Sequence, residues 1–406
     1  METETVELEG HIIDSLILAK VLDVILEAGA DYRVVDVDIG RTNVDASRAR
    51  LEISARDRAA LDLLLEQLQV HGANRVVRGH ANLVPCERDG VLPAGFYSTT
   101  NLATRVATAE GWLDVENPEM DCALVVDRSD GAARARIVPM HRVRSGDMVV
   151  VGMSGVEVVA PSSPRGANPF EFMASEVSSE KPKGLVVAEV ARRIRAARSA
   201  GGRVLAVCGP AVVHTGAAPD VARLVRGGWI DVLFAGNGFA THDIESNVLG
   251  TSLGVSMAEG TPTEHGHANH LRVINEVRRH GSIAAAVADG YIPGGVMCEC
   301  VRAGVPFVLG GSIRDDGPLP DVITDVVAAA DAMRAHIDGV TVALMLASTL
   351  HAIATGNLLP AWVETYCVDI NQAVVTKLAD RGSHQALGIV TDVGLFLRDL
   401  AGELCP

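Results

Sequence analysis

The chain has 406 residues, which is enough for two or three domains. Hydrophobic residues make up 48% of it and aromatic residues only 3%, so Ala, Val and Leu must fill the core. A formal net charge of −16 argues against nucleic-acid binding, which needs basic patches, and against docking on an anionic membrane.

Residues 1–80 predict a small α+β module. Apolar residues recur at helical spacing in 18–25 and again in 61–68. The segments YRVVDVDIG and RARLEIS alternate apolar and polar residues, which predicts half-buried strands. The resulting order β-α-β-β-α-β is typical of a ferredoxin-like or ACT-like sandwich. Such modules often bind amino acids or mediate dimerisation, so we expect a homo-oligomer.

Residues 81–165 predict a β-rich subdomain, because ALVVD, ARIVPM, DMVVVG and GVEVV are short apolar runs separated by turn residues. The polar segment FYSTTN at 96–101 precedes them. It is either a hydroxyl-rich loop with local caps or one wall of a substrate site. The stretch 161–182 is rich in Gly, Pro and Ser and is typical of a linker.

Residues 166–406 predict an α/β domain. Three times after residue 300 an apolar run ends in a polar or Gly-rich turn and continues into a helix-like segment: VRAGVPFVLGGSIRDDGPLP, VTVALMLASTLHAIATGNLLP and VETYCVDINQAVVTKLADRGS. This alternation predicts a parallel sheet, in which ligands bind outside the carboxyl ends of the strands. We therefore expect a nucleotide site there.

Small residues and acids mark these predicted strand ends. The turn at 236–241 reads Gly-x-Gly-x-x-Thr, one residue short of a dinucleotide fingerprint, and a tight turn without a ligand explains it equally well. Gly311 and Ser312 would let backbone N–H groups approach a phosphate. Asp369 could accept hydrogen bonds from ribose hydroxyls or cap the helix predicted near Asn371.

Acid–base candidates lie close to these turns. Asp315 and Asp316 are adjacent and would repel a phosphate, so one of them more plausibly meets ribose, nicotinamide or a substrate amine. Histidines follow at 242, 265, 267 and 270. A His-x-His pair can ligate a metal, but no third ligand is evident in the sequence, and acid–base or structural roles remain open. We expect no metal.

Cysteine usage indicates a reducing compartment. The seven cysteines are scattered and form no Cys-x-x-Cys pair. Cys298 and Cys300 are either free thiols or a weak metal half-site. The acidic opening METETVELEG is unlike a signal peptide, and the longest apolar run, 339–354, is too short to span a bilayer. We therefore expect a cytoplasmic protein.

Five long segments resemble one family. They are FYSTTN (96–101), FEFMASEVSSEKP (170–182), AGNGFATHDIE (235–245), LGGSIRDDGPLP (309–320) and CVDINQAVVTKLADRGS (367–383). Over essentially the whole chain the sequence resembles the archaeal-type ornithine cyclodeaminases and the cyclodeaminase half of cyanobacterial arginine dihydrolase fusions. This family is labelled by a conserved region shared with lysine-oxoglutarate reductase/saccharopine dehydrogenase.

The resemblance implies an NAD-binding domain related to deoxyhypusine synthase, which would account for the imperfect glycine fingerprint. The cofactor contacts implied by the matching motifs are Asn237, Gly238, Asp316, Ser348, Thr349, Leu350, His351, Asp369, Asp392 and Val393, to which the small-residue argument adds Gly311 and Ser312. Gly238 stands where the family pattern leads us to expect alanine. The amidine-hydrolysing module of the fusions is not matched, so arginine dihydrolase activity is not expected.

The implied reaction converts L-ornithine to L-proline and ammonia, with NAD⁺ recycled in place. Asp316 is the first candidate for the amine partner, His242 or His267 for proton transfer, and Arg314 for holding the substrate carboxylate. Two alternatives remain open at this point. One is another NAD-dependent amino-acid oxidoreductase of the lysine or saccharopine type, and the other is an NAD-binding regulatory protein of amino-acid metabolism.

Overall fold

The computed structural model describes residues 1–13, 17–42, 45–76, 79–128, 131–159, 183–257, 261, 268–315, 317–380 and 386–405. The chain divides into two compact units. The first comprises Met1–Phe172 together with Leu359–Trp362, and the second comprises Met173–Leu358 together with Val363–Pro406. The predicted boundaries at residues 80 and 165 stay a prediction, although the first unit does contain two separate sheets.

The first sheet belongs to a ferredoxin-like βαββαβ module. Its elements are β1 (Glu2–Gly10), α1 (Ile17–Glu27), β2 (Asp31–Asp38), β3 (Ser47–Ala55), α2 (Arg58–Gln69) and β4 (Asn74–Arg75). Among the described residues the strand order is β2-β3-β1-β4, with antiparallel pairing throughout. This is the arrangement predicted from the sequence. The narrower ACT-like assignment stays a prediction.

The core of this module lies between the sheet and its two helices. β3 alternates buried and half-buried residues, and its buried side includes Leu51 and Ile53. The prediction of a half-buried strand at YRVVDVDIG was wrong in one respect. β2 does form, but it lies at the sheet edge, so Val35, Val37 and Ile39 remain 38–52% exposed.

The second sheet of the first unit contains the predicted short strands. Its elements are β5 (Asn82–Pro85), β6 (Thr104–Thr108), β7 (Gly111–Glu116), β8 (Ala123–Asp127), β9 (Arg134–Val138), a 3₁₀ turn at Met140–Arg142, β10 (Met148–Val151) and β11 (Val156–Val158). Asn74 joins it to the first sheet. Its amide donates to the carbonyl of Val158 at 2.6 Å, and its Oδ1 accepts from the Val158 N–H at 2.8 Å.

The polar segment 96–101 lies in this unit, and several of its side chains bond to backbone. The Thr99 hydroxyl donates to the Glu119 carbonyl at 2.6 Å and accepts from the Cys122 N–H at 3.0 Å. Asn101 donates to the Leu359 carbonyl at 3.4 Å. These bonds support the loop-and-cap interpretation of the segment rather than the substrate wall.

The second unit is a doubly wound α/β domain. Its elements are α3 (Lys183–Ser199), β12 (Arg203–Cys208), α4 (Ala211–His214), α5 (Ala218–Arg226), β13 (Val232–Gly236), α6 (Asn237–Leu249), β14 (Thr251–Ser252), β15 (Val255–Ser256), α7 (Asn269–His280), α8 (Ile283–Ala288), α9 (Val296–Ala303), β16 (Phe307–Gly310), β17 (Val322–Ile323), α10 (Val326–Arg334), β18 (Val340–Leu346), α11 (Leu350–Leu358), β19 (Glu364–Asp369), α12 (Gln372–Asp380), β20 (Ala386–Val390) and α13 (Val393–Leu404).

The parallel sheet of this unit has the strand order β17-β16-β13-β12-β18-β19-β20 in the part of the chain that the structure describes. Leaving out the two-residue edge strand β17, the chain order of the others is 3-2-1-4-5-6, as in dinucleotide-binding folds. The strands β12 and β18 are buried along almost their whole lengths. Their continuous apolar runs follow from burial on both faces of a parallel sheet. The predicted parallel sheet is confirmed.

None of the helices in the described residues combines the length and the apolar character that crossing a bilayer requires.

Asn74→Ala is expected to lower the free energy of unfolding by about 2–3 kcal/mol, because the buried N–H and C=O of Val158 would each lose a partner. Urea unfolding measures the change, and hydrogen exchange of the β11 amides reports it locally. Asn82→Ala, on an exposed residue of β5, is the matched control and should change stability by less than about 0.5 kcal/mol. Equal small effects in the two variants would show that the Asn74 bridge contributes no stability.

Candidate active site

The predicted cofactor residues follow the carboxyl ends of parallel strands. Wherever the structure describes them, they come after five strands that lie in one sheet: Asn237 and Gly238 after β13, Gly311 and Ser312 after β16, Ser348, Thr349, Leu350 and His351 after β18, Asp369 at the end of β19, and Asp392 and Val393 after β20. Since parallel strands end on the same edge, the fold brings these residues to one rim. Asp316 lies outside the described residues.

The strand order reverses between β12 and β18, and a glycine makes their close approach possible. A Cβ atom on Gly209 would lie 1.8 Å from the carbonyl oxygen of Ala347, which no side chain could tolerate. Ala347 itself has a φ of 46°, unusual for a residue with a side chain. Its N–H donates to the Val368 carbonyl at 2.9 Å, which holds it in this conformation. Ligands of such sheets bind at this reversal.

The imperfect glycine fingerprint does not lie at the strand reversal. The Gly-x-Gly-x-x-Thr segment follows β13, the second strand in chain order, whereas the first βα turn of this fold follows β12 and contains Gly209 and Pro210. Gly238 has no strained backbone, and a Cβ atom there would lie 3.5 Å from Cγ of Pro210, an ordinary contact. The departure from alanine at this position therefore costs the fold little.

His351 fills the rim beside β13 and β16. A Cβ atom on Gly236 would lie 2.8 Å from its Cε1, and one on Gly310 would lie 3.2 Å from its Nε2. Burial lowers the pKa of His351, so its imidazole is neutral at physiological pH. Two strand-end glycines thus make room for one uncharged ring at the centre of the rim.

Two of the predicted contact residues also hold the rim together. The Oδ1 atom of Asn237 accepts from the N–H of Leu319 at 3.0 Å, which ties the loop after β16 to α6. The hydroxyl of Ser312 accepts from the N–H of Arg314 at 3.2 Å, and its own N–H donates to Asp315 at 2.8 Å. Arg314 is exposed on this turn, and its proposed role toward a substrate carboxylate stays a prediction.

Asp369 and Asp392 each use one carboxylate oxygen to start a helix. Asp369 is buried and accepts from the N–H of Asn371 at 2.8 Å, while Asn371 accepts from Ala373 in turn. Asp392 caps α13 by accepting from the N–H of Leu395 at 2.8 Å. Asp392 is therefore the N-cap of α13, whereas Asp369 stabilises the turn before α12 and Asn371 accepts the bond from the first turn of that helix. A ribose contact by the other oxygen stays a prediction.

An additional buried acid, Asp243, has a structural role. Its carboxylate accepts from the N–H groups of Val296 and Met297 at 3.0 and 2.9 Å and so caps α9. Burial raises the pKa of Asp243 to about 6, and these two hydrogen bonds oppose that rise only in part. Gly295, with a φ of 98°, passes close to this carboxylate.

A histidine cluster lies beyond the rim, and we define it as His214, His242, Glu245 and His270. The Nδ1 atom of His242 lies 2.9 Å from Oε2 of Glu245. The His242 ring lies 4.9 Å from the ring of His214 and 6.5 Å from that of His270, measured between centroids. His214 bonds through Nδ1 to the hydroxyl of Ser252 at 2.7 Å. The other predicted proton-transfer residue, His267, lies outside the described residues, as does His265.

Sequence reasoning missed Glu245, His214 and Ser252. Glu245 stands three residues after His242, a helical spacing that could have identified the pair once α6 was predicted. His214 and Ser252 are far from each other along the chain, and only the packing of α4 against α6 and the β14–β15 hairpin brings them together.

The cysteines fit the free-thiol interpretation. All seven are free, and Cys298 and Cys300 are buried in α9. Within the described residues, no group of three or more His, Cys, Asp or Glu side chains is arranged to hold a metal ion.

Comparisons with known proteins cover the whole chain. Residues 188–400 match a family described as the Rossmann-fold C-terminal region of ArgZ-like arginine dihydrolases, residues 103–187 match the first C-terminal region of the same proteins, and residues 3–102 match the LOR/SDH bifunctional enzyme conserved region. A protein of Methanothermobacter thermautotrophicus named ornithine cyclodeaminase is 50% identical over 405 residues, covering 100% of this chain and 98% of its own length.

Solved structures of cyanobacterial proteins are also similar. Apo ArgZ, an arginine dihydrolase, is 37% identical with a TM-score of 0.86 over 99% of this chain. AgrE, solved as a ternary complex with ornithine and NAD⁺, is 41% identical with a TM-score of 0.54 over 99% of this chain. The chain spans only 58% and 57% of the lengths of these two proteins, whereas it spans nearly all of the archaeal relative.

Gly209→Ala is expected to weaken NAD⁺ binding at least tenfold and to lower the melting temperature, because the new methyl group forces β12 and β18 apart. Isothermal titration calorimetry and thermal unfolding measure the two effects. The matched control is Gly238→Ala, which makes only an ordinary contact and should stabilise α6 by about 0.5–1 kcal/mol. Equal NAD⁺ affinity in both variants would show that the strand reversal does not form the cofactor site.

Asp243→Asn is expected to change how stability depends on pH. Asp243 binds its proton more tightly in the folded chain, so its contribution to stability is full below about pH 4 and is lost as the pH rises through about 6. A roughly hundredfold difference in proton affinity corresponds to about 3 kcal/mol. Urea unfolding between pH 4 and 7 should show the wild type losing stability relative to the variant across this window. A constant difference would mean that Asp243 is ionised throughout.

Proposed function

Since the chain belongs to the family of the archaeal ornithine cyclodeaminases and the ArgZ-like C-terminal regions, we propose that it converts L-ornithine to L-proline and ammonia with NAD⁺ recycled in place. The observation that carries this proposal is the end-to-end match to an archaeal relative bearing that name. The strand order supports it independently, because an order of this kind is typical of sheets that bind dinucleotides at the strand reversal.

The rim residues fit NAD. Gly209 has no side chain and lets the backbones after β12 and β18 approach closely at the strand reversal, where a pyrophosphate needs close approach of the backbone. At the end of β20 the hydroxyl of Thr391 is buried and finds no hydrogen-bond partner among the described residues. Such a group normally has a partner, and a bound cofactor would supply one. When bound, NAD⁺ accepts a hydride from the substrate α-carbon and later returns it.

The two halves of the rim differ in chemistry, which suggests an orientation for the cofactor. The carboxylates of Asp369 and Asp392 follow β19 and β20, whereas His214 and His242 follow β12 and β13. Carboxylates suit ribose hydroxyls, and imidazoles suit proton transfer to and from amines. We therefore place the adenosine end over β19–β20 and the reacting end toward the histidine cluster.

The chain's own residues would bind, orient and exchange protons with the substrate. Arg314 remains our candidate for the substrate carboxylate and Asp316 for an amine. The neutral ring of His351 lies beside Gly236 and Gly310 at the rim, where it adds no charge that would oppose a cationic substrate. An enclosed site would also keep water from the reactive imine.

The cysteines support a cytoplasmic location, and the edge strand of the ferredoxin-like module supports a homo-oligomer. Six of the seven cysteines are buried, and within the described residues none is joined in a disulfide, which favours a reducing compartment such as the cytoplasm. The ferredoxin-like module leaves apolar residues of its edge strand β2 exposed, among them Val34 and Val37. An exposed apolar edge favours association, so we retain the proposal of a homo-oligomer.

Incubation with L-ornithine and catalytic NAD⁺ should yield proline and ammonia in equal amounts with no net NADH. Accumulation of NADH would favour an amino-acid oxidoreductase of the lysine or saccharopine type, and ligand-dependent stabilisation without product would favour a regulatory protein.

Asp369→Asn should weaken NAD⁺ binding about 10–100-fold, because asparagine retains the turn to Asn371 but loses the charge that strengthens a ribose hydrogen bond.

Asp399→Asn is the matched control, since Asp399 is an exposed acid on α13. Its NAD⁺ affinity should equal that of the wild type. Unchanged affinity in Asp369→Asn as well would remove Asp369 from the cofactor site while leaving the reaction itself to be judged from the product assay.

A further inference from the structure

Glu245 is a fully buried carboxylate in the interior of α6. It accepts hydrogen bonds from the Thr251 hydroxyl at 2.8 Å and the Gly254 N–H at 3.4 Å, in addition to its contact with His242. Burial alone would raise the pKa of Glu245, but the bonds from His242 and Thr251 outweigh it and hold the pKa below its ordinary value. The residue is therefore ionised within the core.

An ionised carboxylate in this position is poor evidence for a purely stabilising role. A buried ion pair loses about as much by desolvation as it gains from attraction, and apolar replacements are often neutral or stabilising. Several neighbouring groups nevertheless converge to hold this one. Thr251 donates to Glu245 and is itself bonded by Asn269 at 3.0 Å. Hydrogen bonds that fix a side chain in this way are typical of a residue whose orientation is important for function.

The carboxylate determines which nitrogen of His242 carries the proton. An ionised carboxylate only accepts hydrogen bonds, so the Nδ1 atom of His242, 2.9 Å away, must be the donor. In the neutral ring Nε2 then has the free lone pair. The His242 side chain is 12% exposed, in contrast to the fully buried Glu245, so a small molecule can reach it.

Other titratable groups face His242 from the neighbouring elements. His214 faces it from α4, and His270 faces it from α7. The β14–β15 hairpin contributes the hydroxyls of Thr251 and Ser252 in the described residues. Burial, and secondly the proximity of His242, lower the pKa of His214. Glu245 is thus the anionic member of the cluster.

We propose that Glu245 is the positioning residue for proton transfer in this enzyme: it fixes His242 with Nδ1 protonated, so that Nε2 takes a proton from the substrate ammonium group and later returns it to the departing ammonia. This inference rests on the proposed function. His242 lies within the second turn of α6, about 9 Å along the helix from the end of β13.

The proton and electron balance closes without another reactant. The α-ammonium group gives one proton to Nε2, and the α C–H bond then breaks, its hydride passing to NAD⁺ as the C=N bond forms. The δ-ammonium group gives one proton to solvent and adds to that carbon as the neutral amine. A proton then moves from the δ-nitrogen to the former α-nitrogen, and the C–N bond to the latter breaks to release ammonia, which takes the proton from Nε2. The ring C=N bond finally receives the hydride back, and the ring nitrogen regains one proton from solvent. Protons taken and returned are equal, so His242 starts and ends neutral.

Glu245→Gln is expected to lower the kcat for proline formation at least tenfold, since acid–base groups contribute about 10²–10⁴-fold. The Kd for NAD⁺ should stay within about twofold. The acidic limb of the kcat/KM profile should move to lower pH, because His242 loses the negative charge that favours its protonation. Glu245→Asp, which retains the charge, should recover part of the kcat and return the limb toward its wild-type position.

The matched control is Glu276→Gln, at a surface acid of α7 that pairs with Arg279 at 3.3 Å. It should leave the kcat and the pH profile unchanged. An unchanged kcat in Glu245→Gln would overturn the proposal. So would a fall in kcat with the limb unmoved and no recovery in Glu245→Asp, because that pattern indicates only a structural role.

A spectroscopic measurement separates this proposal from the proposed function. Long-range ¹H–¹⁵N correlation spectra of protein labelled at histidine nitrogens, assigned with His242→Asn, should show His242 in the Nδ1–H form in the wild type and not in Glu245→Gln. If the tautomer is as expected but ornithine yields no proline, the proposed function fails and the positioning by Glu245 is retained. The Nε2–H form in the wild type would overturn the positioning even if proline is formed.

Discussion

The contact between the backbones of Gly209 and Ala347 is the constraint on which the second unit depends. At this point β12 and β18 are neighbours, yet the chain leaves them in opposite directions across the sheet. Only a residue without a side chain fits beside the Ala347 carbonyl, and Ala347 itself adopts a left-handed conformation. That conformation costs about 1 kcal/mol and persists because the flanking strands determine it. The crevice at the rim is the consequence of this arrangement.

Helix α6 shows how one element can serve both the fold and the chemistry. Asp243 and Glu245 are two residues apart and both fully buried, but they face different neighbours. Asp243 meets only backbone donors of α9, so burial dominates and its pKa rises. Glu245 meets an imidazole and a hydroxyl, and its pKa falls. The first acid is explained by helix capping, whereas the second has partners that titrate or exchange protons.

The sequence could predict the sheet because its signals are local. Strands such as VLFAG and VTVALML are continuous apolar runs, and parallel strands buried on both faces require such runs. The positions of the strand ends were predicted correctly for the same reason, since the end of a strand is visible in the sequence. The exposure of β2 could not be predicted, because alternation reveals the two faces of a strand but not whether it lies at an edge.

The site was only partly predictable, because its decisive relations are long-range. The turn at 236–241 had the better glycine pattern, but Gly209 is the glycine that lies where the strand order reverses. Strand order is a property of the whole sheet and is not visible in a local motif. His242 was a candidate from its place after the glycine turn. Its partner Glu245 could have been found from helical spacing, whereas its neighbour His214 could not, because the two histidines are 28 positions apart and α5 and β13 lie between their helices.

A further constraint arises from charge. NAD carries a pyrophosphate, while this chain has a net charge of −16 and places acids at the rim itself. The net negative charge of the chain therefore repels the pyrophosphate, and the fold must supply a positive potential locally. In a parallel sheet each following helix begins at the rim, as α6, α11 and α13 do here, so the positive ends of their dipoles point toward the crevice. The helix N-termini thus provide the positive potential that the side chains do not provide. This explains how so acidic a protein can hold an anionic cofactor without a cluster of lysines.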